Sequence, residues 1–542
     1  VSAAAERRYE LAGSSPDSAS ERIWLTLYTL GTIVVILPFL IFRFPLCTDY
    51  LPHLAWIRVL LSPAGSPLRR IFDVRWALIP NLGLPLFATA FGKFLSPEEI
   101  VKAYNLLGIV GVAAGVLWLS RAINGRIQPT VLLALPMLHS WVVTAGLYNF
   151  MLGTAIALCV LAAVQHASLV RRALILNVFA PVLFLIHVGA LTCLASTIFL
   201  LDYAHERPAW RAFVTAPMCF LAALPFFLFR TKPPTTHPTV FNNLPAKLIM
   251  MITIFDSGEM AIALGCALLV LAFAIYLYWH GASFTTGWGL AVAGLWLAGI
   301  LAPANIEISV GIDCRIFWYA GLISVVALHI PEIDTLRLGR STLTLVTMLL
   351  AIKLCLSISS FSSFNRDVAE FSEAVKIIPP GAPIFVAIRP DLQEATKGEL
   401  TGGGPRDARF YYHISSVAPL TGHGLDTMFF AQRGSVIVEP KPDFAQYISD
   451  QPVIIPPTAP VAAYLFDHDA SGALIKMLAR GNLADLLDYS LNWGQRFPYL
   501  LYLDLGYADD PFASRLQLVR RGSFFKIYRN PQSADLYQSN SH

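Results

Sequence analysis

The sequence predicts an α-helical polytopic membrane protein with a soluble α/β domain at its C-terminal end. Three observations carry this. Only 14% of the 542 residues are charged and 56% are hydrophobic, against about 25% charged in ordinary soluble domains. Mean hydropathy is +0.59. The charge shortage is also uneven: apolar blocks recur from Ile23 to Ser360 with short polar breaks, and from Ser363 onward charges, Pro and Gly return at ordinary density. A charge at the centre of a bilayer costs about 2.5–3.5 kcal/mol on insertion scales, so a spanning region is depleted of charge in this way. The chain divides into a polar tail (residues 1–22), a transmembrane region (23–360) and a C-terminal domain (361–542) long enough to bury its own core.

The apolar stretch Ile23–Phe42 has the roughly 20 residues that a helix needs to span. No small-residue cleavage site follows it, which predicts an anchor helix. The next segment, Arg43–Pro97, holds Leu54–Leu61 and Leu82–Leu95, broken by Pro80, Pro85, Arg75 and Lys93. It reads as interfacial helices with apolar faces down and Arg faces up. Further spans are expected at 99–119, 129–147, 149–167, 173–187, 188–204, 212–229, 259–279, 286–302, 316–330 and 341–360, giving about eleven in all.

Sidedness depends on Leu82–Leu95 not crossing. Arg7, Arg8 and Arg22, Arg121 and Arg126, Arg171 and Arg172, Arg207 and Arg211, and Arg337 and Arg340 then share one side. The positive-inside rule makes that side cytoplasmic. The opposite, outer face collects Asp49, His53, Asn81, Tyr148, Asn149, His187, Asn305, Glu307, Asp313 and Arg315, together with the C-terminal domain. The long first outer loop is itself basic, through Arg58, Arg69, Arg70, Arg75, Lys93 and Lys102.

In the C-terminal domain, β-branched and aromatic runs predict strands at Ala382–Ile388, Ser435–Glu439, Tyr499–Leu505, Arg515–Arg520 and Phe524–Tyr528. Helical periodicity predicts Arg366–Ile377, Ala470–Arg480 and Leu483–Trp493. The Gly-rich Thr401–Pro405 lacks the GxxxxGK[ST] spacing and reads as a loop, not a phosphate cradle. The net charge of +4 is modest, and no basic run points to nucleic acid. Cys47 and Cys314 both lie near outer loops and could pair; the other five cysteines fall in apolar helices.

Chemistry concentrates at the span ends. Asp49 and His53 are four apart and share a face on a helix. The carboxylate could act as a general base, and the imidazole could orient it, hold a metal or contact phosphate; the bland alternative is an N-cap from Thr48 or Asp49. Arg75 suits an interface anchor and Asn81 a turn, with acceptor or lipid-phosphate contact as the alternative. Tyr148 and Asn149 fit a tight turn between spans, and His187 a satisfied histidine. Asp313 and Arg315 at the mouth of a span are costly unless paired or functional, and a planar guanidinium suits a phosphate.

The segments TDYLPHLAWIRVL, WALIPNLG, LYNFMLG, HVGALT and DCRIFW, in an architecture of many spans, a long first outer loop and an outer C-terminal domain, resemble a bacterial branch of the GT-C superfamily. That superfamily comprises membrane glycosyltransferases that use polyprenyl-phosphate-linked sugars. Its hallmark acidic residue in the first outer loop maps to Asp49. Many members carry two acidic residues close together there; here Asp49 has no adjacent acidic partner, and His53 and Asp73 are the nearest ionisable groups. The resemblance implies a multi-pass bacterial inner-membrane enzyme with its C-terminal domain on the periplasmic face. It implies inverting transfer of a sugar from a polyprenyl-phosphate donor to a glycan, lipid or protein acceptor, with Asp49 as base. Arg315, Arg75 or Arg58, or a divalent cation such as Mg or Mn, would stabilise the leaving phosphate. His53, Asn81, Tyr148, Asn149, His187 and Asp313 complete the implied substrate-binding set. Two rival readings remain: a transporter or flippase of lipid-linked glycans, and a non-catalytic assembly subunit.

Overall fold

The computed structural model describes residues 18–205, 209–232, 237–307, 309–331, 335–389, 408–429, 436–448, 456–467, 490, 492–505 and 510–533. The first span is α1 (Ser18–Ile41). The first loop then folds into α2 (Tyr50–Leu61), α3 (Pro67–Ile71), strand β1 (Phe72–Val74) and α4 (Gly83–Phe91). At nine residues α4 is too short to cross a bilayer. It buries Leu84, Pro85 and Ala88 and leaves Leu86 and Phe91 exposed, as an interfacial helix does.

The bundle continues with α5 (Pro97–Asn124), α6 (Tyr148–Val164), α7 (Leu169–Ile186), α8 (Val188–His205), α9 (Leu244–Ile252), α10 (Met260–Trp279), α11 (Ile312–Ala327) and α12 (Thr335–Ala374). Among the described residues six helices are long and apolar enough to cross a membrane, and a seventh crossing is made if the pair Ala212–Met218 and Leu221–Phe229, bent by 53°, counts as one. The other four expected spans are shorter helical stretches: Pro129–Thr144, Tyr148–Val164, Trp288–Leu301 and Ile312–Ala327. The first of these is largely a 3-10 helix, Pro129–Leu138, buried throughout.

Local chemistry explains the junctions. Ser96 and Glu99 form a reciprocal capping box that starts α5, with Pro97 in its first turn. Lys102 donates to the carbonyls of Leu40 and Phe42 at 3.1 and 2.9 Å, satisfying acceptors that the end of α1 leaves open. Arg43 forks onto Glu98 at 2.9 and 2.6 Å. Two of the loop's basic residues thus serve its joints. Helices α5 and α6 pack closely because α5 presents Gly111 and Gly115, where an added Cβ would lie 2.9 Å from Ala155 Cβ and 2.8 Å from Leu158 Cβ.

The helix ends sort into two groups, as the interfacial reading of Leu82–Leu95 requires. At one end Asn124 donates to the Val326 carbonyl, Thr285 to Asn124, and Arg121 pairs with Glu21. Arg126 lies in the junction after α5 at that end, and Arg171 and Arg337 stand in the first turns of α7 and α12. At the other end lie Asp49, Tyr148, His187 and Arg315, with the C-terminal domain above them.

That domain has a five-stranded sheet in the order Gln517–Arg521, Phe525–Arg529, Tyr499–Leu503, Pro383–Ile388, Leu425–Asp426. The first two pairings are antiparallel and the last two parallel. Pro383–Ile388 is buried at every position, as a central parallel strand covered on both faces must be. Phe385 stacks on Trp493 with centroids 4.5 Å apart. Two expectations change. The strand anticipated at Ser435–Glu439 forms as Val438–Pro440 and does not join this sheet; it pairs antiparallel with β1, Phe72 opposite Pro440. The helix anticipated at Arg366–Ile377 is the end of α12, whose 40 residues run unbroken past the boundary placed at 360/361. Ala470–Arg480, Thr401–Pro405 and nearly all of Leu483–Trp493 lie outside the described residues.

Candidate active site

After α1 the chain turns back into the bundle. The Thr48 and Asp49 amides donate to the carbonyls of Thr144 and Ala145 at 2.7 and 3.2 Å. This bracket fixes Asp49 against the loop that precedes α6. Gly146 there has φ +85°, and a Cβ on it would sit 3.0 Å from Asp49 Cβ, so the approach needs glycine. Asp49 occupies the N-cap position of α2, yet its side chain makes no capping hydrogen bond. The bland N-cap reading therefore fails for Asp49. Burial pushes its carboxyl up to about 7, partly opposed by the positive charge of Arg315.

Helix α2 is apolar nearly all round because it lies between the bundle and the C-terminal domain. His53 sits in its first turn. The Trp56 indole N–H donates to His53 Nδ1 at 2.9 Å, so Nε2 carries the proton, which is donated to the Gly146 carbonyl. The ring lies 5.3 Å from that of Tyr148. Burial pulls the imidazole down to about 4, keeping it neutral. His53 is thus a brace that holds the Gly146 loop under Asp49. The buried Tyr148 hydroxyl neighbours the Cys47 thiol.

Opposite Asp49, Arg315 stands in the first turn of α11 and His187 in the turn between α7 and α8. Arg315 Nη1 is 3.1 Å from His187 Nε2, while the Gly189 amide donates to His187 Nδ1 at 3.0 Å. A neutral imidazole has one lone pair, and Nδ1 uses it. Nε2–H and the guanidinium therefore face each other as donors. Arg315 Nε is also buried without an acceptor. Two donors aimed at one space, with a third unused, form a site for an anion.

The structure brings together Asp49, His53, Tyr148, His187 and Arg315. The remaining candidates take other places. Asn149 Oδ1 accepts from the Leu84 amide and the Tyr104 hydroxyl, and its Nδ2 donates to the Asn81 carbonyl. It pins α6 to α4, and Asn81 at φ 73° is the turn it grips. Asp313 is fully buried against Lys247 at 2.8 Å and accepts from Asn242 at 2.9 Å; the local Asp313–Arg315 salt bridge does not form. Arg58 is solvent-exposed. Arg75 lies on the β1 ribbon, 3.7 Å from Asp73 and Glu439. Cys47 and Cys314 are both free thiols, so the anticipated pairing is absent. Asp73 stands between Arg75 and Lys441 and is no second acidic partner for Asp49.

Both His53 nitrogens are engaged, and among the described residues no three His, Cys, Asp or Glu side chains converge.

Sequence reasoning missed five contributors. Lys247 and Asn242 belong to residues 230–258, which carried no span signal. Trp56 and Gly146 carry no ionisable group. A fifth, His413, approaches His53 from the C-terminal domain, buried beneath a roof where Phe429 stacks on Phe72 at 4.4 Å.

No family model matches this sequence, and no curated protein matches it. Two solved structures do. One is the crystal structure of ArnT from Cupriavidus metallidurans in the apo state, with a TM-score of 0.45 and 12% identity over 95% of this chain and 99% of that one. The other is ArnT from Cupriavidus metallidurans bound to undecaprenyl phosphate, with a TM-score of 0.45 and 12% identity over 96% and 99%.

Proposed function

We propose that the chain is an inverting membrane glycosyltransferase, moving a sugar from a polyprenyl-phosphate carrier to an acceptor hydroxyl on the outer face of a bacterial inner membrane. One observation supports this above the rest: the buried Asp49 carboxyl lies within electrostatic reach of Arg315, whose guanidinium has a buried Nε without an acceptor and sits 3.1 Å from His187 Nε2. In this reaction the acceptor oxygen attacks the anomeric carbon as the bond from that carbon to the phosphate oxygen breaks. The acceptor proton passes to Asp49, and the bonding pair leaves on the lipid phosphate. Arg315 and His187 Nε2–H hold the charge that develops there. A base with its pKa near the working pH combines a large ionised fraction with adequate proton affinity. The mechanism needs no step through a metal.

The active form of Asp49 is the carboxylate. Burial raises its pKa, so the ionised fraction grows as pH rises and levels off above about 7. The rate of sugar transfer is expected to rise with pH through a midpoint near 7 and to fall about tenfold per pH unit well below it. A flat profile between pH 5 and 8 would remove Asp49 from the base role.

The anion role of Arg315 is tested separately. Arg315→Gln is expected to weaken binding of undecaprenyl phosphate about 10–100-fold, measured by microscale thermophoresis in detergent, with α-helical circular dichroism unchanged. Unaltered binding would assign the phosphate elsewhere.

A further inference from the structure

A second feature of the first loop lies apart from Asp49. At the far end of α2 a cavity of about 480 Å³ opens between the last turn of α2, α3, β1 and α4. Leu60, Leu61 and Val74 supply apolar wall, Trp76 stands half-exposed at its side, and Arg69 and Lys93 supply two cations. No carboxylate lines it. Arg69 Nε is buried without an acceptor, although its main-chain amide is used by Ser66. The space is therefore apolar below, cationic at the rim, and short of an anion.

Its position indicates what fills it. Lys93 lies four residues before α5 enters its span at Pro97. Phe91 and Phe94 flank Lys93 and are 43% and 81% exposed. Exposed aromatic rings beside a cation at a span entrance mark the depth of lipid headgroups. Trp76 fits the same level.

We propose that this cavity binds one anionic phospholipid of the surrounding bilayer, its phosphate held by Arg69 and Lys93 and its acyl chain lying along Leu60, Leu61 and Val74. The site is independent of the glycosyl-transfer reading. It gives two of the loop's basic residues a ligand, and it anchors the end of α2 that is remote from Asp49 to the membrane surface. Phosphate recognition by paired cations depends on charge, so lipids with a neutral headgroup bind more weakly.

The test uses the full chain, delipidated in a neutral detergent and supplied with phosphatidylglycerol or phosphatidylcholine, with bound lipid counted by native mass spectrometry. The expected result is one retained phosphatidylglycerol per chain, in preference to phosphatidylcholine. Arg69→Gln with Lys93→Gln should lower that occupancy about tenfold or more, and Arg69→Lys with Lys93→Arg should keep it. Equal retention of the two lipids, or unchanged occupancy in the Gln pair, would overturn the proposal. So would loss in the charge-conserving pair, because charge would then not be what holds the lipid. Displacement by millimolar inorganic phosphate would make this a free-phosphate site and overturn the lipid assignment.

Discussion

Asp49→Asn is expected to lower the rate of sugar transfer by about 10²–10⁴-fold while leaving the fold intact, the range that general-base catalysis contributes. The amide is isosteric and cannot take a proton from the acceptor. The side chain makes no capping bond, so α2 loses no support. The stability effect has a definite sign. The carboxyl titrates near 4 unfolded and about 7 folded, so the folded state binds more protons between these values. Stability carried by this group is present below about pH 4 and is lost as pH rises through 7. The Asn variant avoids that loss. Its thermal midpoint in detergent should equal or exceed the parent's at pH 8, and the difference should shrink towards pH 4. Retained transfer in this variant would refute the catalytic assignment and favour a transporter or assembly subunit.

The second large effect is structural. Lys247→Ala is expected to destabilise the protein by about 3–5 kcal/mol, the cost of leaving a buried charge without its partner. Lys247 and Asp313 have side chains 3% and 0% exposed, with nitrogen and oxygen 2.8 Å apart. Lys247 also donates to the Gly299 carbonyl at 3.4 Å, tying α9 to the helix that ends at Leu301. Asp313 begins the helix that carries Arg315, so the pair sets the height of the guanidinium opposite Asp49. Lys247→Met combined with Asp313→Leu should recover much of the lost stability, because replacing both charges leaves neither uncompensated. Thermal melting of the purified protein, followed by loss of the monodisperse peak in size exclusion, reads both variants. A single Lys247→Ala variant as stable as the parent would show that the pair carries no weight.

The convergence of Asp49, His53, Tyr148, His187 and Arg315 was legible in the sequence because each sits where an apolar block ends. Once α4 is too short to cross, alternation of the spans places all of these ends together. The role of each residue was less legible. Asn149 reads as a binding residue from its position, but its partners are main-chain groups of Leu84 and Asn81, which no side-chain pattern announces. His53 reads as a ligand, and its roles are set by an indole and a carbonyl. Asp313 and Arg315 are two apart and suggest a local pair. The actual partner of Asp313 lies 66 residues away, on a short helix inside a stretch too polar at its flanks to count as a span. The end of α12 was misread for a related reason. Polar residues from Ser362 onward mark where the helix leaves the membrane, which is not where the helix stops.

The ladder between β1 and Val438–Pro440 sets an order of events in biosynthesis. Phe72 and its neighbours emerge early, but the main-chain partners of this edge come only when residue 440 has been made. The stacking of Phe429 on Phe72 is equally late. Contacts this distant in sequence form slowly, because the whole intervening chain must first be in place. The first loop therefore waits, with an unpaired edge, through the insertion of every later span. A nascent chain ending before residue 429 would hold Asp49 in sequence but lack both the ring that stacks on Phe72 and the strand that pairs with β1.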